Sequence, residues 1–190
     1  MDVIVFWTRN PRLLMCHLAE LDARGYRHYF QYTLLDNPGP IDPHVPTLEA
    51  SLGTFRELAD HVGPEGVIWR YDPIVWSNVT GIEFPRQAYE RIARTLRGYT
   101  RRSVISLLDV YRKAEKRLKA LAQQGIELAA RDEDDLGKLM SALVETAAAS
   151  DMEITSCAEQ LDLRPYGVRP GKRVDDEWLS AGTRLCPSPL

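Results

Sequence analysis

Apolar and polar positions along the chain follow two periods in turn. Short runs rich in β-branched and aromatic residues stand at 3–7 (VIVFW), 28–35 (HYFQYTLL), 66–71 (GVIWRY), 103–110 (SVISLLDV) and 152–158 (MEITSCA). They read as strands. Between them, apolar residues recur at helical spacing: Leu48, Leu52, Phe55, Leu58, Ala59 and Val62 in 47–62; Phe84, Ala88, Ile92 and Leu96 in 84–97; Leu136, Leu139, Met140, Leu143, Val144 and Ala147 in 132–149. Gly25, Gly63, Gly98 and Gly125 each follow a helical pattern, where a left-handed cap residue is needed. Pro11 and Pro85 stand near helix starts, where a missing N–H costs little.

The order is βαβαβαβαβ, with a longer helical stretch before the last strand. Strands joined by helical crossovers run parallel, so the class is α/β. Polar residues recur at the C-terminal end of every strand and not at one switch point. That favours a partial (βα) barrel, with helices outside, over a doubly wound sheet. A full eight-unit barrel takes about 250 residues, and this chain has 190. The barrel domain is expected over 1–163. Beyond it, Pro165, Gly167, Pro170, Gly171, Gly182, Pro187 and Pro189 suggest an irregular tail over 164–190.

Composition narrows the partners. Residues are 44% hydrophobic and 27% charged, with a formal net charge of −3. There is no bulk attraction to nucleic acid or to an anionic membrane, and no apolar run nears the roughly 18 residues of a membrane span. Asp2 stands where a signal peptide would carry basic residues. A cytoplasmic protein is expected. Cys16, Cys157 and Cys186 are widely spaced and odd in number, which argues against a disulfide framework.

In parallel α/β sheets, ligands bind beyond the carboxyl ends of the strands. The first strand delivers Trp7, Thr8, Arg9 and Asn10 there; the second, Gln31, Tyr32 and Thr33; the third, Trp69, Arg70, Tyr71 and Asp72. The fourth delivers Ser106 and Asp109, and the fifth Ser156, Cys157 and Glu159. Trp7, Thr8, Arg9, Asn10, Gln31, Thr33, Arg70, Tyr71, Asp72, Asp109, Cys157 and Glu159 are the candidate lining of a small-molecule pocket. Arg9 and Arg70 suit a carboxylate or phosphate. An Arg70–Asp72 ion pair stiffening the loop before Pro73 is the competing reading for those two. Core packing competes for Trp7 and Trp69, and a small buried hydrophobe for Cys157.

Asp72, Asp109 and Glu159 offer a carboxylate set for a hard cation. No His-x-His or Glu-x-x-His pair occurs, and the Gly-x-Gly-x-x-Gly and Walker A fingerprints are missing. The basic rows Arg91, Arg94, Arg97, Arg101, Arg102 and 112–119 (RKAEKRLK) are interrupted by Glu90 and Glu115. They read as a solvated outer face, and a nucleic-acid partner is not expected.

Six blocks occur in the same order as in one family: VFWTRNP (5–11), YFQYTL (29–34), VIWRYDPI (67–74), GYT (98–100), SLLDVY (106–111) and SCAEQLDL (156–163). On them the chain resembles the bacterial DUF1848 proteins over about residues 2–178. The resemblance implies a radical-SAM-like barrel. It also implies a [4Fe–4S] cluster held by a C-terminal C-x-x-x-C-x-x-C arrangement and opening one iron to S-adenosylmethionine. Relatives carry a preceding strand and helix with an SRRTDIP-like motif, and a cysteine where Arg173 stands. Cys186 alone cannot hold a cluster that needs three or four thiolates. The chain is therefore expected to be a truncated or divergent copy, lacking the first βα unit and the cluster segment, or one whose cluster-bearing part is encoded elsewhere; no cofactor is expected in this chain itself.

Three functions follow as expectations. The first is a cluster-less, radical-SAM-related protein with a small-molecule pocket at the strand ends and no autonomous radical chemistry. The second is a divalent-cation hydrolase or lyase using Asp72, Asp109 and Glu159. The third is a non-catalytic partner that self-associates through an exposed first strand.

Overall fold

The computed structural model describes residues 3–108, 115–130, 132–157, 161–175 and 178. The elements are β1 (Val3–Thr8), α1 (Arg12–Met15), α2 (Leu18–Ala23), β2 (Arg27–Thr33), α3 (Leu48–Val62) and β3 (Val67–Ile74). They continue with α4 (Glu83–Leu96), β4 (Arg102–Leu107), α5 (Glu115–Ala122), α6 (Glu133–Ala149), β5 (Glu153–Cys157) and β6 (Arg169–Gly171). The six strands form one sheet in the order β1-β2-β3-β4-β5-β6, and every neighbouring pair is parallel. The strand order never reverses, so the sheet has no switch point of the doubly wound kind.

Local chemistry accounts for the helices. Thr47 caps α3 by accepting from the Ala50 N–H, and Asp132 caps α6 by accepting from the N–H groups of Asp134 and Asp135. Glu133, Asp134 and Asp135 place negative charge at the α6 N-terminus, where the helix dipole favours it. Gly63 and Gly125 follow α3 and α5 with φ of 80° and 75°, a region costly for residues with a Cβ.

Side chains alternate across the sheet, and the two faces differ. One face meets α2, α3, α4 and α6 in the main core, through Phe30, Tyr32, Val67, Trp69, Tyr71, Ile105 and Ile154. Trp69 stacks on Tyr89 of α4 with centroids 4.6 Å apart, and Tyr32 stacks on Phe55 of α3 at 5.3 Å. Each large side chain buried here contributes roughly 1.5–3 kcal/mol. The opposite, inner face holds a smaller cluster of Tyr29, Ile68 and Val104, with Val3, Val5, Cys157 and Trp178 against it.

Two sequence expectations need correction. The stretch after 163, read as irregular, contains a helical turn at Arg164–Tyr166 and the edge strand β6, paired to β5 through Thr155, Ser156 and Cys157. A three-residue strand with a Pro is too short for alternation to reveal. Arg102 is not on a solvated outer face. It is buried on the inner face, with Nε and Nη2 donating to Glu153 Oε2 at 3.0 and 2.8 Å. Its basic neighbours do lie outside and are matched with acids: Arg91 with Asp36, Arg94 with Glu90, Arg97 with Asp151 and Arg101 with Glu65. Among the described residues no helix is long and apolar enough to cross a membrane.

Candidate functional site at the strand ends

The inner face carries Trp7 on β1, Gln31 and Thr33 on β2, Arg70 and Asp72 on β3, and Ser106 on β4. Parallel register sets them side by side: Trp7 lies opposite Gln31, and Thr33 opposite Arg70. Residues 70 and 72 share a face because strand side chains repeat every second position.

Arg70 is the centre of the group and only 1% exposed. Its Nε donates to Asp72 Oδ2 at 2.9 Å, its Nη2 donates to the same oxygen, and its Nη1 donates to Gln31 Oε1 at 2.6 Å. The other Asp72 oxygen accepts from the Ser106 hydroxyl. The Trp7 ring covers the guanidinium, 4.0 Å from Cζ to the centroid, while itself 51% exposed. A guanidinium has five N–H protons, and three are donated to Asp72 and Gln31. Among the described residues, one proton remains on each terminal nitrogen. A carboxylate or phosphate accepts such a pair.

Both readings of Arg70 and Asp72 thus have a place. They form the ion pair before Pro73, and an exposed indole is stacked over the guanidinium face. Gln31 is held from its other end, where Nε2 donates to the Tyr29 hydroxyl at 3.2 Å and to the Arg173 carbonyl at 2.6 Å. Burial holds the Tyr29 phenol above its ordinary value, against the lowering effect of the Gln31 contact.

The remaining expected residues separate from this group. Tyr71 is a correction: it points to the helices, and its hydroxyl donates to the Pro85 carbonyl at 3.1 Å. Alternation pairs 70 with 72 and excludes 71. Thr8 and Asn10 build the turn into α1: the Thr8 hydroxyl accepts from the Asn10 N–H at 3.0 Å, and Asn10 Oδ1 accepts from the Arg12 N–H at 3.2 Å. Arg9 is exposed and pairs with Asp42. Trp69 takes the core-packing role, with Nε1 donating to the Leu34 carbonyl at 2.9 Å. Cys157 ends β5 on the inner face, packed against the small apolar cluster. Asp109 and Glu159 lie outside the described residues.

Ser106 belongs to the group although sequence reasoning left it out of the pocket. Its parity with Val104 on the strand expected over 103–110 is the available signal. Arg102, Tyr29 and the Arg173 carbonyl had no local signal at all.

A [4Fe–4S] site needs converging thiolates. Cys16 follows α1, with its thiol donating to the Leu13 carbonyl at 3.2 Å, and Cys157 stands at the end of β5. Nor does any part of the sequence have the C-x-x-x-C-x-x-C spacing. Cys186 lies outside the described residues; Cys16 and Cys157, without that spacing, do not fit the three-thiolate site that the resemblance implies. Among the described residues, no group of three His, Cys, Asp or Glu side chains could hold a metal ion.

A family model described as a domain of unknown function, DUF1848, matches residues 1–185. No curated protein matches. Among solved structures, a putative copper homeostasis protein CutC from Streptococcus agalactiae is 14% identical, over 90% of this chain and 98% of that one, with a TM-score of 0.33. A variant of the citrate synthase SbnG is 16% identical over 96% and 92%, with a TM-score of 0.29. A phosphodiesterase, PaMucR with c-di-GMP, is 14% identical over 86% and 70%, also at 0.29. At these scores none of them bears on what this chain does.

Proposed function

The chain belongs to the DUF1848 family, and from that premise we propose that it binds a small carboxylate or phosphate on a radical-SAM-like section of a (βα) barrel. Sequential parallel strand order supports the barrel reading. Arg70 carries the binding reading: a buried guanidinium, fixed by Asp72 and Gln31, with one unspent proton on each terminal nitrogen among the described residues. Trp7, half exposed and stacked over the guanidinium face, is the wall beside the bound anion. Binding needs no thiolate.

The hydrolase reading fares worse on one observation. Asp72 already gives Oδ2 to Arg70 and Oδ1 to Ser106, so a cation would have to displace a buried ion pair.

Calorimetry and thermal shift with inorganic phosphate and a panel of small mono- and dicarboxylates test the proposal. A binding anion raises Tm, and the shift disappears in Arg70→Gln. In Arg70→Lys affinity falls at least about tenfold, because an ammonium cannot make the planar fork. No shift with any anion, or a shift that survives in Arg70→Gln, refutes it.

A further inference from the structure

We infer that residues Lys172–Asp175 and Trp178 form a docked floor on the inner face, and that this floor positions Arg70 through Gln31. After β6 the chain turns onto the inner face. The Arg173 carbonyl accepts from Gln31 Nε2 at 2.6 Å. Asp175 Oδ2 accepts from Arg102 Nη1 at 2.6 Å, and its Oδ1 accepts from the Trp178 backbone N–H at 3.1 Å. The Trp178 ring covers the Arg102 guanidinium at 4.1 Å, and its Nε1 donates to the Glu65 carbonyl at 3.2 Å. Gln31 is in the body of β2, Arg102 opens β4, and Glu65 precedes β3. The floor therefore covers the half of the inner face away from Asp72 and Ser106.

Gln31 is the joint. Both ends of its amide are engaged: Oε1 with Arg70, Nε2 with Arg173 and Tyr29. An amide tied at its nitrogen cannot flip, so its oxygen stays on Arg70 Nη1. If the floor leaves, the short anchor to Arg173 is lost and only the longer contact to Tyr29 remains. The cationic donor on Oε1 also polarises the amide, which strengthens the bond from Nε2 to the floor. Docking of the floor and fixation of Arg70 therefore favour each other, and the coupling is reciprocal. Gln31 and Asp175 are positioning residues. Only the ligand arm of the test below rests on the anion-binding reading.

The test follows two NMR signals, the Arg70 Nη1–H and the Trp178 indole N–H, assigned with Arg70→Lys and Trp178→Phe. Asp175→Asn removes the charge facing Arg102 while keeping the side chain's shape. The Trp178 indole should then exchange about tenfold faster, the equivalent of one lost charged contact, and the Arg70 Nη1–H should exchange faster with it. Gln31→Glu keeps an acceptor for Arg70 but has no N–H for Arg173. There Trp178 should exchange faster while Arg70 stays protected. If Asp175→Asn does not fold, Trp178→Phe replaces it; it removes the bond to Glu65 and should speed Arg70 exchange. Faster Trp178 exchange with an unchanged Arg70 signal in Asp175→Asn overturns the inference. So does an unchanged Trp178 signal in both variants, or an unchanged Arg70 signal in Trp178→Phe.

Inorganic phosphate should slow Trp178 exchange in the wild type and not in Gln31→Glu. Phosphate that raises Tm without slowing Trp178 overturns the floor's role. If neither phosphate nor any carboxylate binds, the anion reading alone is refuted, and the Asp175→Asn comparison still decides the floor.

Discussion

Removing Asp72 should be the most damaging single change at the candidate site. Asp72→Ala deletes the carboxylate that accepts from both Nε and Nη2 of Arg70. Arg70 is 1% exposed and cannot regain water by a small movement, and the Asp72 side chain is only 16% exposed. Breaking a buried pair by removing one partner costs about 3–5 kcal/mol. Gln31 still accepts from Nη1, and the Trp7 ring still faces the cation at 4.0 Å. Such a ring contact is worth about 0.5–2 kcal/mol. The low end, about 3 kcal/mol, is therefore expected. For a domain of this size, that lowers Tm by about 6–12 °C. Urea unfolding followed by far-UV circular dichroism measures it. The decisive comparison is Arg70→Met with Asp72→Ala, which removes both charges. The double variant should be more stable than Asp72→Ala alone by at least about 1 kcal/mol, because no unpaired buried cation is left. A loss under about 0.5 kcal/mol in Asp72→Ala, the range of ordinary surface changes, would refute the reasoning. So would a double variant whose losses simply add.

Two further outcomes are expected. Burial raises the phenols of Tyr32, to about 12, and of Tyr71 and Tyr89 above the ordinary 10.0. Because the folded values lie above the unfolded one, this contribution is complete below pH 10 and is lost as pH rises above 10, through about 12 for Tyr32. Each such tyrosine steepens the decline by about 1.4 kcal/mol per pH unit; phenolate absorbance that appears before unfolding, not with it, would contradict this. Gly66→Ala would place a Cβ 2.4 Å from the Val62 carbonyl oxygen. Backbone cannot yield as a side chain does, so a loss of about 1–3 kcal/mol is expected in urea unfolding, and unchanged stability would show that the turn between α3 and β3 relaxes freely.

Much of the scaffold could be read from one-dimensional pattern. Helical spacing in 47–62, 84–97 and 132–149 and the β-rich runs between them correspond to α3, α4, α6 and five of the strands. These elements bury a stripe or a face, so their periodicity is written into neighbouring positions. The edge strand β6 was not legible, because three residues carry no period.

The sequence by itself determined the order of the first five strands and the main helices between them, their parallel direction, and which side chains share a face: Gln31 with Thr33, Arg70 with Asp72, and Val104 with Ser106. Alternation specifies the partition and is silent on which half meets the helices. Only the tertiary structure turned Trp69 and Tyr71 toward α4 and Arg70 toward Trp7. It alone brought Arg173, Asp175 and Trp178 back onto strands far earlier in the chain. Those contacts depend on where a three-residue edge strand releases the chain and on a buried arginine waiting for a carboxylate. Both are properties of the assembled sheet, with no counterpart in any local stretch of sequence.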